Sequence, residues 1–292
     1  MSSSELSALI TLIEDPDESI FHHVKNELVA RGREVIPELE QYWEYNRFGT
    51  LFQQRVEELI HNIQFNLVGA SLKEWMTSEH NDLLEGAILI NKYQYPSFDE
   101  AEVRRQVAAI RQDIWLELND NLTAIEHVNV FNHILYKVHE FQGNKANYSA
   151  PQNSYIADVL NTKKGNSLSL AVIYQVLANS LEIPIYGVNL PNHFLLCYLD
   201  ENRLGMSPEE SEDKGILFYI NPFNGGEIIH RDEIDDFLFH LNLPQEVKYY
   251  EPCKNEEIIR RMINNLIFAY GQQNKEEKVA ELKALQDMLA QR

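Results

Sequence analysis

The segment that most constrains the fold is residues 141–226, where helical and strand patterns follow each other in a defined order. It opens with FQGN and continues with KKGNSLSLAVIYQVLANSLEIPIYGV, which reads as a glycine stop and then a helix with small polar residues at its start. LPNHFLLCYL and FYINPFNGG follow as short strands, one carrying a histidine and one ending at Asn-Pro. Helices followed by short strands predict an α+β core with an antiparallel sheet.

The same order of parts is typical of a papain-like or transglutaminase-like nucleophilic site. In such a site the nucleophile lies at a helix N-terminus, where the helix dipole and unpaired N–H groups favour a thiolate. A histidine and then a carboxylate or amide follow on neighbouring strands. In this chain no cysteine stands at the start of that helix, because the sequence there is Gly165-Asn166-Ser167.

The segment resembles the transglutaminase-like core of the SirB-type proteins, also described as regulators of sirC expression, which join that core to helical repeats. The resemblance covers about residues 83–292, including the flanking runs LLEGAILINKYQYPSFD and IIRRMINNLIFAYGQQN. The residues that carry it in the core are Phe141, Gly143, Asn144, Tyr148, Pro151, Asn153, Ser154, Val159, Leu160, Gly165, Ser169, Leu170, Pro191, His193, Phe194, Pro222, Phe223, Gly225 and Gly226.

The resemblance implies a site. In the wider transglutaminase pattern the cysteine lies four residues before an alanine of the same helix, and Ala171 therefore places Ser167 at the nucleophile position. His193 takes the histidine position, and Asn221 stands where the family usually has aspartate. Four further residues are expected to line the cleft: Asn153, Ser154, Asn166 and Asn192.

Two functions from different classes follow. The first is a non-catalytic transglutaminase-like protein, whose degenerate cleft of Ser167, His193 and Asn221 binds a protein or ligand, with a regulatory role. The second is a hydrolase or acyl transferase in which Ser167 attacks an amide or ester carbonyl, His193 is the general base and Asn221 orients the ring. A purely local interpretation of Ser167 is also open, because serine and asparagine favour N-cap positions.

Three parts are expected along the chain. Residues 1–80 show consecutive helical stripes, indicating a HEAT-like array or a helical bundle. Residues 81–250 form the transglutaminase-like core, where Asp82 is expected to cap one helix and Ser97 with Glu100 to form the capping box of the next. Residues 251–292 are expected to form a helical hairpin that resembles a tetratricopeptide pair.

Charge narrows the class of partner. The net charge is −20 and no segment is basic, which argues against nucleic acid and anionic membranes as partners. A basic protein or peptide would suit this charge better, and the alternative is that the acidity only keeps the protein soluble. The polar run at 200–215 is either a solvated hairpin connection or an acidic lip near His193 that would select basic substrates.

No metal or cofactor is expected. His127, His133 and His139 are six residues apart, which on a helix does not give the i, i+3 or i, i+4 spacing of paired ligands. Cys197 and Cys253 form no C-x-x-C pair, and no glycine-rich nucleotide-binding motif occurs. The first residues lack the basic region of a secretory signal, so a cytoplasmic protein is expected.

Overall fold

The structure, a computed structural model, describes residues 3–44, 49–200 and 215–290. The chain divides into two compact units, residues 1–74 and 75–292. The segment 251–292, expected as a third part, lies within the second unit.

The first unit is helical throughout its described residues. Its helices are α1 (Ser3–Thr11), α2 (Glu18–Arg31), α3 (Ile36–Glu44) and the first part of α4 (Thr50–Thr77). Asp17 caps α2 by accepting a hydrogen bond from the Ser19 N–H. Arg55 is buried and donates to the carbonyls of Ile13 and Asp15, which fixes the turn between α1 and α2 to α4. A HEAT-like arrangement of these helices stays a prediction.

The second unit combines helices with a four-stranded antiparallel sheet, as predicted for the core. The order in the sheet is β3-β4-β5-β6, so each strand pairs with its neighbour along the chain. A separate parallel pair joins two short segments, β1 and β2. The strands are β1 (Gln142–Gly143), β2 (Lys164–Gly165), β3 (Ile185–Val188), β4 (Leu195–Leu199), β5 (Ile216–Asn221) and β6 (Glu227–Ile229).

The helices of this unit surround the sheet and one central helix, α9. They are α5 (Leu83–Gln94), α6 (Glu100–Glu117), α7 (Ala124–Asn132), α8 (Ile156–Thr162), α9 (Ser167–Ser180), α10 (Arg231–His240), α11 (Asn255–Gln272) and α12 (Glu276–Ala290). The predicted cap of α5 by Asp82 is confirmed. The predicted capping box at Ser97 and Glu100 is wrong, because Asp99 caps α6 by accepting from the Glu102 N–H. A π-helical turn, His133–Val138, continues α7.

Burial of α9 is more complete than a single apolar stripe predicts. Every residue from Ser167 to Gln175 is buried, because β3 and β4 cover one side of the helix and α5, α6, α8 and α11 cover the others. On the other face of the sheet, α10 packs over a second apolar cluster that includes Leu195, Cys197 and Leu199. The start of α9 is therefore held from all directions.

Candidate functional site

Two reciprocal hydrogen bonds close the N-terminus of α9. Asn166 Oδ1 accepts from the Ser169 N–H at 2.9 Å, and Ser169 Oγ accepts from the Asn166 N–H at 3.1 Å, which forms a capping box. Asn166 Nδ2 also donates to Ser154 Oγ at 2.9 Å. The cap is thus Asn166, and the interpretation of Ser167 as a cap is wrong, because Ser167 is the first helical residue.

Glycine before the cap permits this geometry. A Cβ atom at Gly165 would lie 2.5 Å from Ser169 Oγ, the atom that closes the capping box. Gly143, paired with Gly165 in the β1–β2 ladder, is equally close to the Phe223 ring, where a Cβ would meet a ring carbon at 2.6 Å. The two glycines therefore let the loop after β5 approach the start of α9.

Ser167, the residue predicted at the nucleophile position, is the first residue of α9. Its exposed fraction is only 6%, and it lines a cavity of about 350 Å³. Within the described residues its side chain has no hydrogen-bond partner. The backbone N–H groups of Ser167 and Leu168 also lack an intrahelical acceptor, as the first residues of any helix do.

His193 and Asn221, by contrast, are joined. His193 Nε2 lies 3.1 Å from Asn221 Oδ1, and the same oxygen accepts from the Phe223 N–H at 3.2 Å. Because that backbone donor identifies the Asn221 atom as oxygen, Nε2 of His193 must carry the proton that is donated to it. In the neutral ring, Nδ1 therefore carries the lone pair.

The surroundings of His193 favour the neutral ring. Burial lowers its pKa below the ordinary value, the hydrogen bond to Asn221 opposes this effect, and the charge of Arg261 lowers the pKa further. The rings of Phe223 and Phe237 each lie 6.4 Å from the imidazole. His193 was expected to begin a strand, which is wrong: it lies in the turn before β4, after Asn192 with a φ of 58°.

The structure brings together only part of the expected triad. No hydrogen bond joins Ser167 to His193, and His193 is not among the residues that line the cavity beside Ser167. The serine hydroxyl accordingly has no positioned base, and an unactivated hydroxyl is a weak nucleophile. His193 and Asn221 are hydrogen-bonded to each other, and Ser167 takes no part in that pair.

The four expected cleft residues differ in position. Ser154, Asn166 and Asn192 line the cavity. Asn153 is buried and is not part of the lining, because its side chain holds the preceding loop: it accepts from Asn144 Nδ2 at 2.8 Å and donates to the carbonyls of Asn147 and Tyr148. Asn153 therefore fixes the loop that carries Tyr148, which lines the cavity.

Helix α11 supplies a wall that sequence reasoning missed. Arg261, Asn265 and Phe268 follow one another at i, i+4 and i+7, so they lie on one face of α11 and line the cavity. That spacing was visible in the sequence, but nothing local showed what the face would meet. The complete lining is Tyr148, Ser149, Ala150, Ser154, Asn166, Ser167, Leu168, Asn192, Phe194, Arg261, Asn265, Phe268 and Ala269.

Neither cysteine replaces the missing thiol. Cys197 is buried in the sheet, and burial raises its pKa far above the ordinary value. Burial also raises the pKa of Cys253 to about 12. Both thiols are therefore protonated at neutral pH and poorly nucleophilic.

Three further expectations concern metals, membranes and the acidic lip. In the part of the chain that the structure describes, no cluster of three His, Cys, Asp or Glu side chains could hold a metal ion. No helix in residues 3–44, 49–200 and 215–290 is both long enough and apolar enough to pass through a bilayer. The acidic run predicted as a lip near His193 falls almost entirely on residues 201–214, which lie outside the described residues.

Comparison with known proteins identifies the same type of core that the order of helix, histidine and strands indicated. The profile of the transglutaminase-like superfamily matches residues 101–264, more than half of the chain. A UPF0162 protein of Xylella fastidiosa is 29% identical over 204 residues, 68% of each chain, and one of Vibrio cholerae is 27% identical over 157 residues, 54% of this chain and 53% of its own.

A eukaryotic protein is also similar. Human F-box only protein 21 is 22% identical over 247 residues, which are 77% of this chain but 37% of that protein. No solved structure matches the chain significantly. The superfamily match covers β1 to β6, the start of α9 and Arg261, so it includes Ser167, His193 and Asn221 and most of the cavity lining. This chain belongs to the transglutaminase-like superfamily.

Proposed function

We propose that this protein is a non-catalytic transglutaminase-like protein that binds a peptide segment of a partner protein in the cavity beside α9. The observation that carries the proposal is the separation of Ser167 from His193: the residue at the nucleophile position has no hydrogen bond to the base. We assign the chain to the SirB-type proteins within the superfamily, with a regulatory role in the cytoplasm.

The lining of the cavity suits a peptide. Hydroxyl and amide side chains and the N–H groups at the start of α9 can pair with peptide groups, while Tyr148 and Phe268, 50% and 59% exposed, offer aromatic surface at its rim. Its volume of about 350 Å³ is at the lower end of ordinary ligand sites, roughly 300–1,000 Å³. In this proposal α11 and α12 act as a tetratricopeptide-like hairpin that completes the site.

A second candidate is a serine hydrolase or acyl transferase. It is favoured by one observation, the hydrogen bond from His193 to Asn221, which leaves Nδ1 with a lone pair as a general base requires. Catalytic hydrogen bonds can tighten only when substrate binds. A rearrangement that brings Ser167 Oγ to His193 would activate the hydroxyl.

Thiol reactivity separates the two candidates. In Ser167→Cys, a thiol replaces the hydroxyl at the helix start, and iodoacetamide labelling measures its thiolate fraction. Since no hydrogen bond joins residue 167 to His193, we expect the labelling rate at pH 7 to change less than about threefold when His193→Ala is added. The native cysteines give a low background because their pKa values are raised.

Two results would favour the enzyme instead. One is a labelling rate that falls tenfold or more on adding His193→Ala. The other is wild-type hydrolysis of amide or ester substrates that Ser167→Ala abolishes.

Binding is tested separately with the peptide N-acetyl-Phe-Ala-amide. We expect millimolar peptide to shift the NMR amide signals of Ser167, Leu168 and Phe268 but not that of Phe239, which is exposed on α10 away from the cavity lining. Equal shifts at Phe239, or none at the cavity, would contradict the proposal.

A further inference from the structure

The charge of the cavity is opposite in sign to that of the whole chain. The net charge is −20, yet Arg261 is the only Asp, Glu, Lys or Arg among the described residues that line the cavity. A cation placed alone in a half-buried site raises the local potential there, because low-dielectric walls focus its field.

Arg261 is also poorly satisfied. Its guanidinium donates to Asn189 Oδ1 at 3.1 Å, and it forms no ion pair with any described carboxylate. Arg260, the preceding residue on α11, instead contacts Met76 Sδ and the Leu289 carbonyl. A guanidinium carries five N–H donors, so Arg261 keeps donors available for a ligand.

A second group of donors lies on the opposite wall of the same cavity. The N–H groups of Ser167 and Leu168 begin the 14-residue helix α9, whose positive dipole end favours an anion. Ser167 is only 6% exposed, and its hydroxyl has no hydrogen-bond partner among the described residues. Donors from two helices thus line one cavity, and none of its described lining residues is acidic.

We propose that the peptide bound in this cavity presents a carboxylate, which Arg261 pairs while the start of α9 donates hydrogen bonds to it. This inference rests on the proposed function, since it specifies the ligand of the same cavity. A carboxylate fits better than a phosphate, because a phosphate carries roughly −1.5 to −2 charges and one guanidinium balances one. The planar fork of arginine also matches a carboxylate in bidentate geometry.

The rim gives the carboxylate an apolar neighbour. Tyr148 and Phe268 line the cavity with exposed rings, so an aromatic or large aliphatic side chain next to the acidic group would contact them. The partner expected from the net charge alone was basic. The described cavity lining supports an acidic segment instead, since a basic group would be repelled by Arg261 and meets no acidic residue of that lining.

A series of matched peptides tests the charge preference. The probes are N-acetyl-Phe-Ala with a free C-terminus, the same peptide as its amide, N-acetyl-Phe-Asp-amide and N-acetyl-Phe-Lys-amide. We expect the two acidic peptides to bind the intact chain at least about tenfold more tightly than the neutral amide, and the lysine peptide to bind most weakly, as judged from the NMR shifts of Ser167 and Leu168. The free terminus and the Asp side chain distinguish the two sources of the carboxylate.

Variants assign the preference to Arg261. We expect Arg261→Gln to weaken binding of the acidic peptides about 10-fold to 100-fold and to leave the neutral amide unchanged. Arg261→Lys keeps the charge but loses the fork, so it should show an intermediate loss. Arg105→Gln is the matched control, because Arg105 is exposed on α6 and paired with Asp99 and Glu102, and it should change affinity less than about twofold.

The outcomes separate this inference from the proposed function. If no peptide shifts the cavity signals, the proposed function fails. If all four peptides bind equally, peptide binding stands and the carboxylate preference is overturned. If acidic peptides are preferred equally in Arg261→Gln and Arg105→Gln, the role of Arg261 is overturned. If Arg261→Gln loses its NMR amide dispersion, and so is not folded, Arg261→Lys takes its place in the test. Full retention of acidic-peptide affinity in Arg261→Lys would refute the bidentate pairing.

Discussion

The capping box of α9 should contribute more to stability than an exposed box of the same kind. Replacing Asn166 with alanine removes the acceptor for the Ser169 N–H and the donor to Ser154 Oγ, all within a buried region. A lost N-cap costs about 1 kcal/mol. Leaving a buried polar group unpaired costs about 1–3 kcal/mol more, and Ser169 and Ser154 are only 1% and 3% exposed. We therefore expect Asn166→Ala to lower the free energy of unfolding by about 2–4 kcal/mol.

Thr123→Ala is the matched control. Thr123 forms an equivalent capping box with Glu126 at the start of α7, is also uncharged and lies at the surface, so water can satisfy the N–H groups it leaves. Its loss should cost about 1 kcal/mol. The measurement is urea-dependent hydrogen exchange of amides in residues 75–292, so that it reports unfolding of this unit and not of residues 1–74. Equal costs for Asn166→Ala and Thr123→Ala would refute the argument from burial.

Two further predictions use other contacts of the site. Gly165→Ala places a Cβ 2.5 Å from Ser169 Oγ and should lower the free energy of unfolding by about 1–3 kcal/mol. Gly271→Ala, where no atom lies within 4 Å of the added Cβ, should be neutral or stabilising in the same urea measurement. Equal effects of the two substitutions would contradict the steric reasoning. Burial lowers the pKa of His193 in the folded protein, so the unfolded state binds the proton more readily. The folded protein therefore loses stability as the pH falls from near 6.5, the unfolded pKa, towards the lower folded pKa. Wild type should thus lose more stability than His193→Gln between about pH 7.5 and 5.5, and parallel pH profiles would exclude this role.

Local signals account for what could be predicted. The antiparallel sheet followed from short β-rich runs separated by Gly, Pro or Asn, and the cap at Asp82 followed from its position before an apolar stripe. Both depend on residues adjacent in sequence, for which period and turn chemistry are informative. The superfamily profile extends through the same run of helix and strands.

Tertiary packing decided the rest. The β-rich run after Pro191-Asn192 placed His193 in a strand, but β4 begins only at Leu195 and is buried throughout, so its apolar run gave no sign of where it starts. Ser97 and Asp99 both have cap chemistry, and the turn after Pro96 leaves Asp99 nearest to the helix. Arg261 became part of the site only because α11 packs beside the start of α9, a contact that no local pattern records.

The order of the cavity walls along the chain has a consequence for synthesis. One wall is the start of α9, and the opposite wall is α11, which follows the whole sheet in sequence. A growing chain therefore completes the sheet and α10 before residue 261 leaves the ribosome, and the loop that must close between the two walls is long. We expect a nascent chain, or one truncated before α11, to be unable to hold the ligand, so that binding would report that synthesis had passed α11.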